Sequence, residues 1–157
     1  MAINNIVSTL SVGNGIQLNS SSLSISPQYL QIASGTISAS AFKDMQVNAI
    51  TIVSRAAGYI IVPTQMILQL VFNNTAYAAG SNVLFMYESA IVVSTQIPAA
   101  QFYATASEVS SADLAFPHPN TIEDMTNVSL QLTVAGGNFT TGDSPVNYFV
   151  QYFLMPV

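Results

Sequence analysis

The single histidine, His118, is the first residue to consider for catalysis or metal binding. It lies in the segment "FPHPN", between Pro117 and Pro119, whose rings fix φ and stiffen the backbone. A general base needs a partner within hydrogen-bonding reach, and a transition-metal site needs several imidazole or thiolate ligands. Because the chain has one histidine and no cysteine, we expect a loop histidine with no catalytic role and no zinc site.

Two adjacent carboxyl groups, Glu123 and Asp124, form the next candidate for chemistry. Side chains of neighbouring residues face opposite ways on a strand and diverge on a helix, so this pair does not form the shared-proton arrangement that hydrolases use. The spacing of "NTIE" instead predicts a capping box, with Asn120 accepting a hydrogen bond from the Glu123 amide. A calcium site at Asp124 is the alternative, but the segment lacks a D-x-D-x-D-G loop pattern.

The glycine-rich segment "VAGGNFTTGDSPV", residues 134–146, could suggest a phosphate-binding loop. Such a loop needs a lysine and a following helix, whereas here no lysine is present and a second strand pattern follows. We therefore predict a hairpin, in which Gly136, Gly137 and Gly142 take backbone angles that other residues avoid and Asp143 closes an Asx-type turn before Pro145.

Asn73, Asn127 and Asn138 each begin an N-x-S/T sequence that matches the glycosylation pattern. The segment "MAINNIVSTLSV" lacks the basic start and continuous apolar block of a secretory signal. We therefore expect these matches to be coincidental in a chain rich in Asn, Ser and Thr.

The low charge of the chain constrains its partners. Only 6% of the 157 residues are charged and 50% are hydrophobic, against about a quarter charged in an ordinary soluble domain. A lone monomer with so little charge would tend to associate, so we infer burial in an assembly. Two basic residues cannot neutralise a phosphate backbone, and no run reaches the roughly 20 apolar residues of a membrane-spanning helix. We expect no nucleic-acid partner, no membrane partner and no cofactor.

Residues 1–45 are predicted to form an extended N-terminal arm. This segment is rich in serine and almost uncharged, and "TLSV", "IQL" and "LSIS" resemble very short strands separated by turn signals. Strands this short cannot bury a face alone. We therefore expect the arm to gain order on a neighbouring subunit or by winding with symmetry mates.

Residues 46–157 are predicted to form a β-sandwich with little helix. Short segments rich in β-branched and aromatic residues follow one another, each bounded by Gly, Pro, Asn or Ser. "VSLQLTV" alternates with a period of two, as expected of a half-buried strand. "VNYFVQYFL" is apolar on both faces, with Val146, Tyr148, Val150 and Tyr152 on one side and Phe149 and Phe153 on the other, so we place it centrally or at a subunit interface.

Two segments of the chain resemble small structural proteins of tailed bacteriophages. They are "NNTAYAAGSNVLFMYES" and, about fifty residues later, "NVSLQLTVAGGNFTTGDSPVNYFVQYFLMPV". In these proteins an apolar strand runs into a Thr-Ala-Tyr and small-Gly turn, and the chain closes with a Gly-Asp hairpin and an aromatic terminal strand. The resemblance covers residues 46–157 and implies an all-β, antiparallel, jelly-roll-like sandwich. The lead-in "SVGNGIQLNSSSLSIS" is similar in style to the beaded strands of phage fibre shafts and capsid-binding arms.

The resemblance also implies a function and a set of contact residues. Proteins of this kind decorate or cement capsids, commonly as trimers, so the expected role is a non-enzymatic homotrimer that binds the major capsid protein on the exterior of the virion. A trimeric tail-fibre or receptor-binding tip is the second reading, and a carbohydrate-binding module is a weaker third. The residues expected to contact sister subunits or the shell are Ile3, Ile6, Leu10, Ile16, Leu18, Leu23, Ile25, Tyr29, Tyr148, Phe149, Tyr152 and Phe153.

Overall fold

Two antiparallel sheets enclose the core of this chain, which confirms the prediction of an all-β sandwich. The computed structural model describes residues 30–115 and 121–157 in full, and the backbone of residues 16–19 and 22–25. The strands are β1 (Ile16–Asn19), β2 (Ser22–Ile25), β3 (Gln31–Ile37), β4 (Ile50–Val53), β5 (Tyr59–Leu70), β6 (Val83–Tyr87), β7 (Glu108–Ala112), β8 (Leu130–Val134) and β9 (Val146–Pro156). The helices are α1 (Ala39–Lys43), a 3-10 turn (Ala99–Phe102) and α2 (Ile122–Met125).

Successive strands from β3 to β9 alternate between the two sheets. One sheet has the order β3-β9-β5-β7 and the other has the order β4-β8-β6, while β1 and β2 form a separate hairpin. Every connection within the sandwich therefore crosses from one layer to the other, and hydrogen-bonded neighbours are distant in sequence. The strand β3, for example, pairs antiparallel with β9, with Gln31 opposite Tyr152 and Ile37 opposite Val146.

The predicted position of β9 is confirmed, since it lies between β3 and β5. Its partner β5 carries a bulge where Pro63 pairs with Tyr152 and Gln65 pairs with Gln151, leaving Thr64 unpaired in the ladder. Proline has no amide hydrogen to donate to a ladder, so a bulge is a favourable place for it in a strand.

The core is built from the inward-facing side chains of both sheets and from a group of aromatic rings. Leu130, Leu132 and Val134 of β8 are buried, as the alternation predicts. Phe42 lies fully buried against the rings of Tyr77, Phe102 and Phe139, at centroid distances of 5.0, 5.0 and 5.1 Å.

The boundary predicted between an arm ending at residue 45 and a sandwich starting at 46 is wrong, because residues 31–45 pack within the sandwich. The strand β3 extends the four-stranded sheet, and Phe42 and Met45 are fully buried. Thr133 of β8 also donates its hydroxyl to the Met45 carbonyl, at 2.9 Å. The helix α1, which the sequence analysis did not predict, begins after Ser38, whose hydroxyl accepts a hydrogen bond from the Ala41 amide.

The predicted hairpin over residues 134–146 is also wrong. β8 and β9 belong to different sheets, so this segment crosses between the layers. Of its glycines, only Gly142 has a positive φ, of 105°. Asp143 does not simply close a local turn, because its carboxylate accepts hydrogen bonds from residues 73–75 of the β5–β6 connection.

The cap of α2 lies one residue later than predicted. Thr121, and not Asn120, is the residue before the helix, and its hydroxyl accepts a hydrogen bond from the Asp124 amide at 3.3 Å. The hydroxyl also donates to the Asp124 carboxylate, at 2.8 Å. Asp124 thus takes part in the cap of α2, whereas Glu123 lies exposed in the first turn of the helix.

Candidate interface surfaces

The outer side of the four-stranded sheet is a surface without charged side chains, which we call the uncharged face. Strand register arranges its side chains in rows that cross the sheet, such as Ser34, Phe149, Ile67 and Ser111. The side chains of this face point away from the core and alternate with the buried positions of the same strands. They are Ile32, Ser34, Thr36, Gln65, Ile67, Gln69, Val109, Ser111, Asn147, Phe149, Gln151 and Phe153. Apolar side chains alternate with amides and hydroxyls across the whole surface.

A ladder of hydrogen-bonded side chains crosses the uncharged face. The Thr36 hydroxyl donates to Asn147 Oδ1 at 2.7 Å, and Asn147 Nδ2 donates to Gln69 Oε1 at 3.1 Å. The row ends at Val109, which is 68% exposed. Because each amide orients the next one, the ladder holds its polar groups in fixed positions.

A shallow depression of about 270 Å³ lies beside this ladder, lined mainly by the side chains of Ile67, Gln69, Val109, Asn147 and Phe149. Tyr148 completes the lining, so the walls combine apolar and aromatic groups with amides and contain no carboxylate or basic side chain. Such a lining suits contact with an uncharged protein surface, where apolar area is removed from water and amides can still find partners.

The predicted contact residues of β9 divide between the two sides of the sheet. Phe149 and Phe153 lie on the uncharged face, half-buried. Tyr148 and Tyr152 pack against the core, where the Tyr148 ring covers Gly35 and the Tyr152 hydroxyl donates to Gln31 Oε1 at 3.0 Å. This division matches the predicted alternation, while a role in subunit contact stays a prediction.

The other predicted contact residues lie in the N-terminal segment. Ile3, Ile6, Leu10 and Tyr29 are outside the described residues, as is His118. The four predicted contact residues in the β1–β2 hairpin are described by their backbone, which pairs Ile16 with Ile25 and Leu18 with Leu23.

Sequence reasoning missed the contribution of β3, β5 and β7 to the uncharged face. Ile32, which is 58% exposed, lies in the segment predicted to be an arm, where serine and glycine obscure its alternation with Ala33. The segment around Val109 is too short and too rich in serine to show a clear period.

Charged side chains lie elsewhere on the molecule. Lys43 donates to the Gly142 carbonyl at 3.0 Å, and Arg55 and Glu88 line a polar depression on the outer side of the three-stranded sheet, together with Thr51 and Gln131. Within the described ranges, no group of three or more His, Cys, Asp or Glu side chains is placed to hold a metal ion. The helices of that part of the chain are all too short or too polar to cross a membrane.

Asp143 joins the two connections at one end of the sandwich. Its carboxylate accepts from the Thr75 amide at 2.9 Å, from the Asn74 amide at 3.2 Å and from Asn73 Nδ2 at 3.1 Å. The hydrogen bond from Thr75, together with that from Asn74, holds the pKa of Asp143 below its usual range. Next to it, the buried Tyr77 hydroxyl donates to the Ser144 carbonyl, and burial, assisted by the charge of Asp143, raises the pKa of Tyr77 to about 12.

The lowered pKa of Asp143 predicts that its stabilising effect depends on pH. A carboxyl whose pKa is lower in the folded state stabilises the fold above its unfolded pKa of about 3.9, and this contribution is lost as the pH falls through the folded value. The free energy of unfolding of wild type should therefore exceed that of Asp143→Ala at pH 7, and the difference should shrink as the pH falls below about 4. Denaturant titrations over this pH range measure it, and a difference that does not change with pH would contradict the assignment.

These features define the class of the protein by fold: an all-β sandwich with an uncharged outer sheet face and hydrogen-bonded connections between its layers. No family model matches the chain, and no curated protein matches it. Among solved structures, the chain is similar to a chain of the cyanophage Pam1 capsid asymmetric unit, with a TM-score of 0.54 and 14% identity. The similarity covers 99% of this chain and 97% of the other. It shows that the two chains share a fold over nearly their whole lengths.

Proposed function

We propose that this chain is a structural protein of a bacteriophage particle that decorates and cements the capsid. The observation that carries the proposal is the similarity of fold, over nearly the full length of both chains, to a chain of a cyanophage capsid asymmetric unit. The phage proteins that the sequence resembles point to the same class.

The chemistry of the surface supports a binding role. A chain with 6% charged residues that also concentrates Ile32, Ile67, Phe149 and Phe153 on one face is suited to a protein interface. Burying such side chains contributes about 25 cal/mol per Å² of apolar area, reduced by the cost of ordering the partners. The amides of the ladder keep hydrogen-bonding groups available to an uncharged partner.

In this account the protein acts as a homotrimer on the outside of the shell. Residues of the N-terminal segment, from Ile3 to Tyr29, contact sister subunits and the major capsid protein, and Phe149 and Phe153 contribute to the seam between sister subunits. The sandwich then covers a junction between capsid subunits, so that separating them requires exposing apolar area to water. The proposed role involves no catalysis, no cofactor and no nucleic acid.

The number of copies per particle tests this proposal against a tail-fibre or receptor-binding tip. An icosahedral shell repeats each surface site, so a cement protein should be present in on the order of hundreds of copies, whereas a fibre would be present in on the order of tens at most. Quantitative gel analysis of purified virions, with the major capsid protein as the internal reference, gives this number. A count in the tens would favour the fibre, and absence of the chain from virions would overturn both readings.

A further inference from the structure

One edge of the four-stranded sheet is open to another strand. β3 pairs with β9 on one side, and on its other side no residue of the described ranges pairs with it. Unpaired amides and carbonyls at a sheet edge are a template for a further strand. Proteins usually protect such an edge with lysine, proline or a bulge, yet "QIASGTI" has none of these and its register with β9 is continuous.

Other strands that end a sheet are shorter or partly covered. On the outer side of β6, Val83 pairs with Ile97 and Met86 pairs with Val92. Just after β7, Leu114 pairs with Ser94. β3 has seven residues, against four in β4 and five in β7. It is therefore the longest of the edge strands in the two large sheets.

The β1–β2 hairpin, in contrast, is a sheet of two strands that lacks a third strand. Each of its strands has four residues, and among the described residues they pair only with each other. A two-stranded hairpin is at best marginally stable in water, and a third strand is needed to stabilise it. Before Lys43 the chain contains no charged side chain, so neither the hairpin nor β3 would bring charge into a joint sheet.

Because one edge of β3 is unpaired and the β1–β2 hairpin lacks a third strand, we propose that the hairpin of a second copy of this chain adds to the free edge of β3. The hairpin of the same chain forms a sheet separate from β3. Five residues, 26–30, connect Ile25 to Gln31, and this connection can span about 20 Å, several times the spacing of 4.8 Å between adjacent strands. It can thus deliver the hairpin to a neighbour.

This exchange would link one surface of each copy to a different surface of the next. Such heterologous contacts close into a ring when the rotation between copies permits it, as in a trimer. The inference rests on the proposed assembly of the chain with itself, and it specifies β3 as the strand that receives the N-terminal segment. Backbone hydrogen bonds along β3 would supply affinity, as in other cases of strand addition.

Cysteine cross-linking tests this contact cleanly because the chain has no cysteine of its own. Four single variants, Gln17→Cys, Leu18→Cys, Leu23→Cys and Ser24→Cys, place a thiol on either face of either hairpin strand. Each is co-expressed with a tagged full-length Ser34→Cys chain, in which the thiol lies on β3, and treated with a short bis-maleimide that tolerates shifts in register. A product joining one tagged to one untagged chain can arise only between copies.

The matched control is Ser111→Cys. Ser111 is an exposed serine in the same cross-strand row as Ser34, but it lies on β7 at the opposite edge of the sheet. We expect a mixed product between Ser34→Cys and at least one hairpin variant, and its loss when Ser111→Cys replaces Ser34→Cys. Equal yields at the two edges, or no product with Ser34→Cys from any hairpin variant, would overturn the inference. The copy number in virions is measured independently, so the inference and the proposed function can fail separately.

Discussion

Replacing Phe42 with alanine is expected to lower the free energy of unfolding by about 3–5 kcal/mol, the usual cost of removing a buried phenylalanine. Its ring is fully buried and contacts three other aromatic rings, so the truncation would leave a cavity bounded by Tyr77, Phe102 and Phe139. Because a domain of this size is stable by only about 5–15 kcal/mol, this is a large fraction of the total. Equilibrium denaturation in urea measures the difference.

The control for this variant is Val47→Ala, in the same connection. Val47 is 74% exposed, and an exposed substitution of this kind changes stability by about 0.5 kcal/mol or less. Equal effects at the two positions would contradict the placement of Phe42 in the core. They would also remove the reason for including residues 31–45 in the sandwich.

The second large effect is expected at Gly142, whose replacement by alanine should destabilise the fold by roughly 2–5 kcal/mol, from backbone strain and overpacking together. Gly142 has a φ of 105°, and a Cβ at this position would lie 2.3 Å from the Tyr77 ring. Tyr77 cannot easily move away, because it is buried, packs against Phe42 and donates to the Ser144 carbonyl. Thermal and urea denaturation of Gly142→Ala measure the loss.

Gly137 provides the matched glycine for comparison. It lies in the same connection, and a Cβ built there meets no atom within 4 Å, so Gly137→Ala should change the free energy of unfolding by about 1 kcal/mol or less. If Gly142→Ala were as stable as Gly137→Ala, the close approach of this connection to Tyr77 would be wrong.

Strand positions and the direction of their side chains could be predicted from the sequence where the pattern is strong. Leu130, Leu132 and Val134 alternate with polar residues and face the core. The terminal strand is apolar on both faces, and it lies in the middle of its sheet with Val146 and Val150 in the core and Phe149 on the outer side. These properties depend on local periodicity, which a single sequence contains.

The sequence did not show which sheet each strand joins. Glycine and aspartate at 142 and 143 mark a turn of the chain, but the same residues serve a hairpin or a connection between layers, and here the layers alternate. The N-terminal limit of the sandwich was missed for a related reason: β3 contains serine and glycine within the strand, and its partner β9 lies more than a hundred residues away in the chain. Phe42 is a lone aromatic residue in a five-residue helix, too short for its period to be recognised.

The uncharged face follows from this pairing and not from any one segment. Ile32, Ile67, Val109 and Phe149 come from four strands spread across the chain, and only the register brings them together. A lack of charge in the sequence predicts that some surface is covered by other molecules. The structure adds which surface is suited to that role.

The central claim is that this sparsely charged protein covers its uncharged face by assembling with itself on a phage shell. Sedimentation velocity of the full-length protein, alone and mixed with shells that lack it, tests this claim most directly, with Phe149→Asp on the uncharged face and Thr51→Asp on the outer side of β4 as a matched pair. We predict that wild type and Thr51→Asp associate and sediment with the shells, whereas folded Phe149→Asp does neither. A wild-type chain that stays monomeric at high concentration and does not sediment with shells would contradict the account.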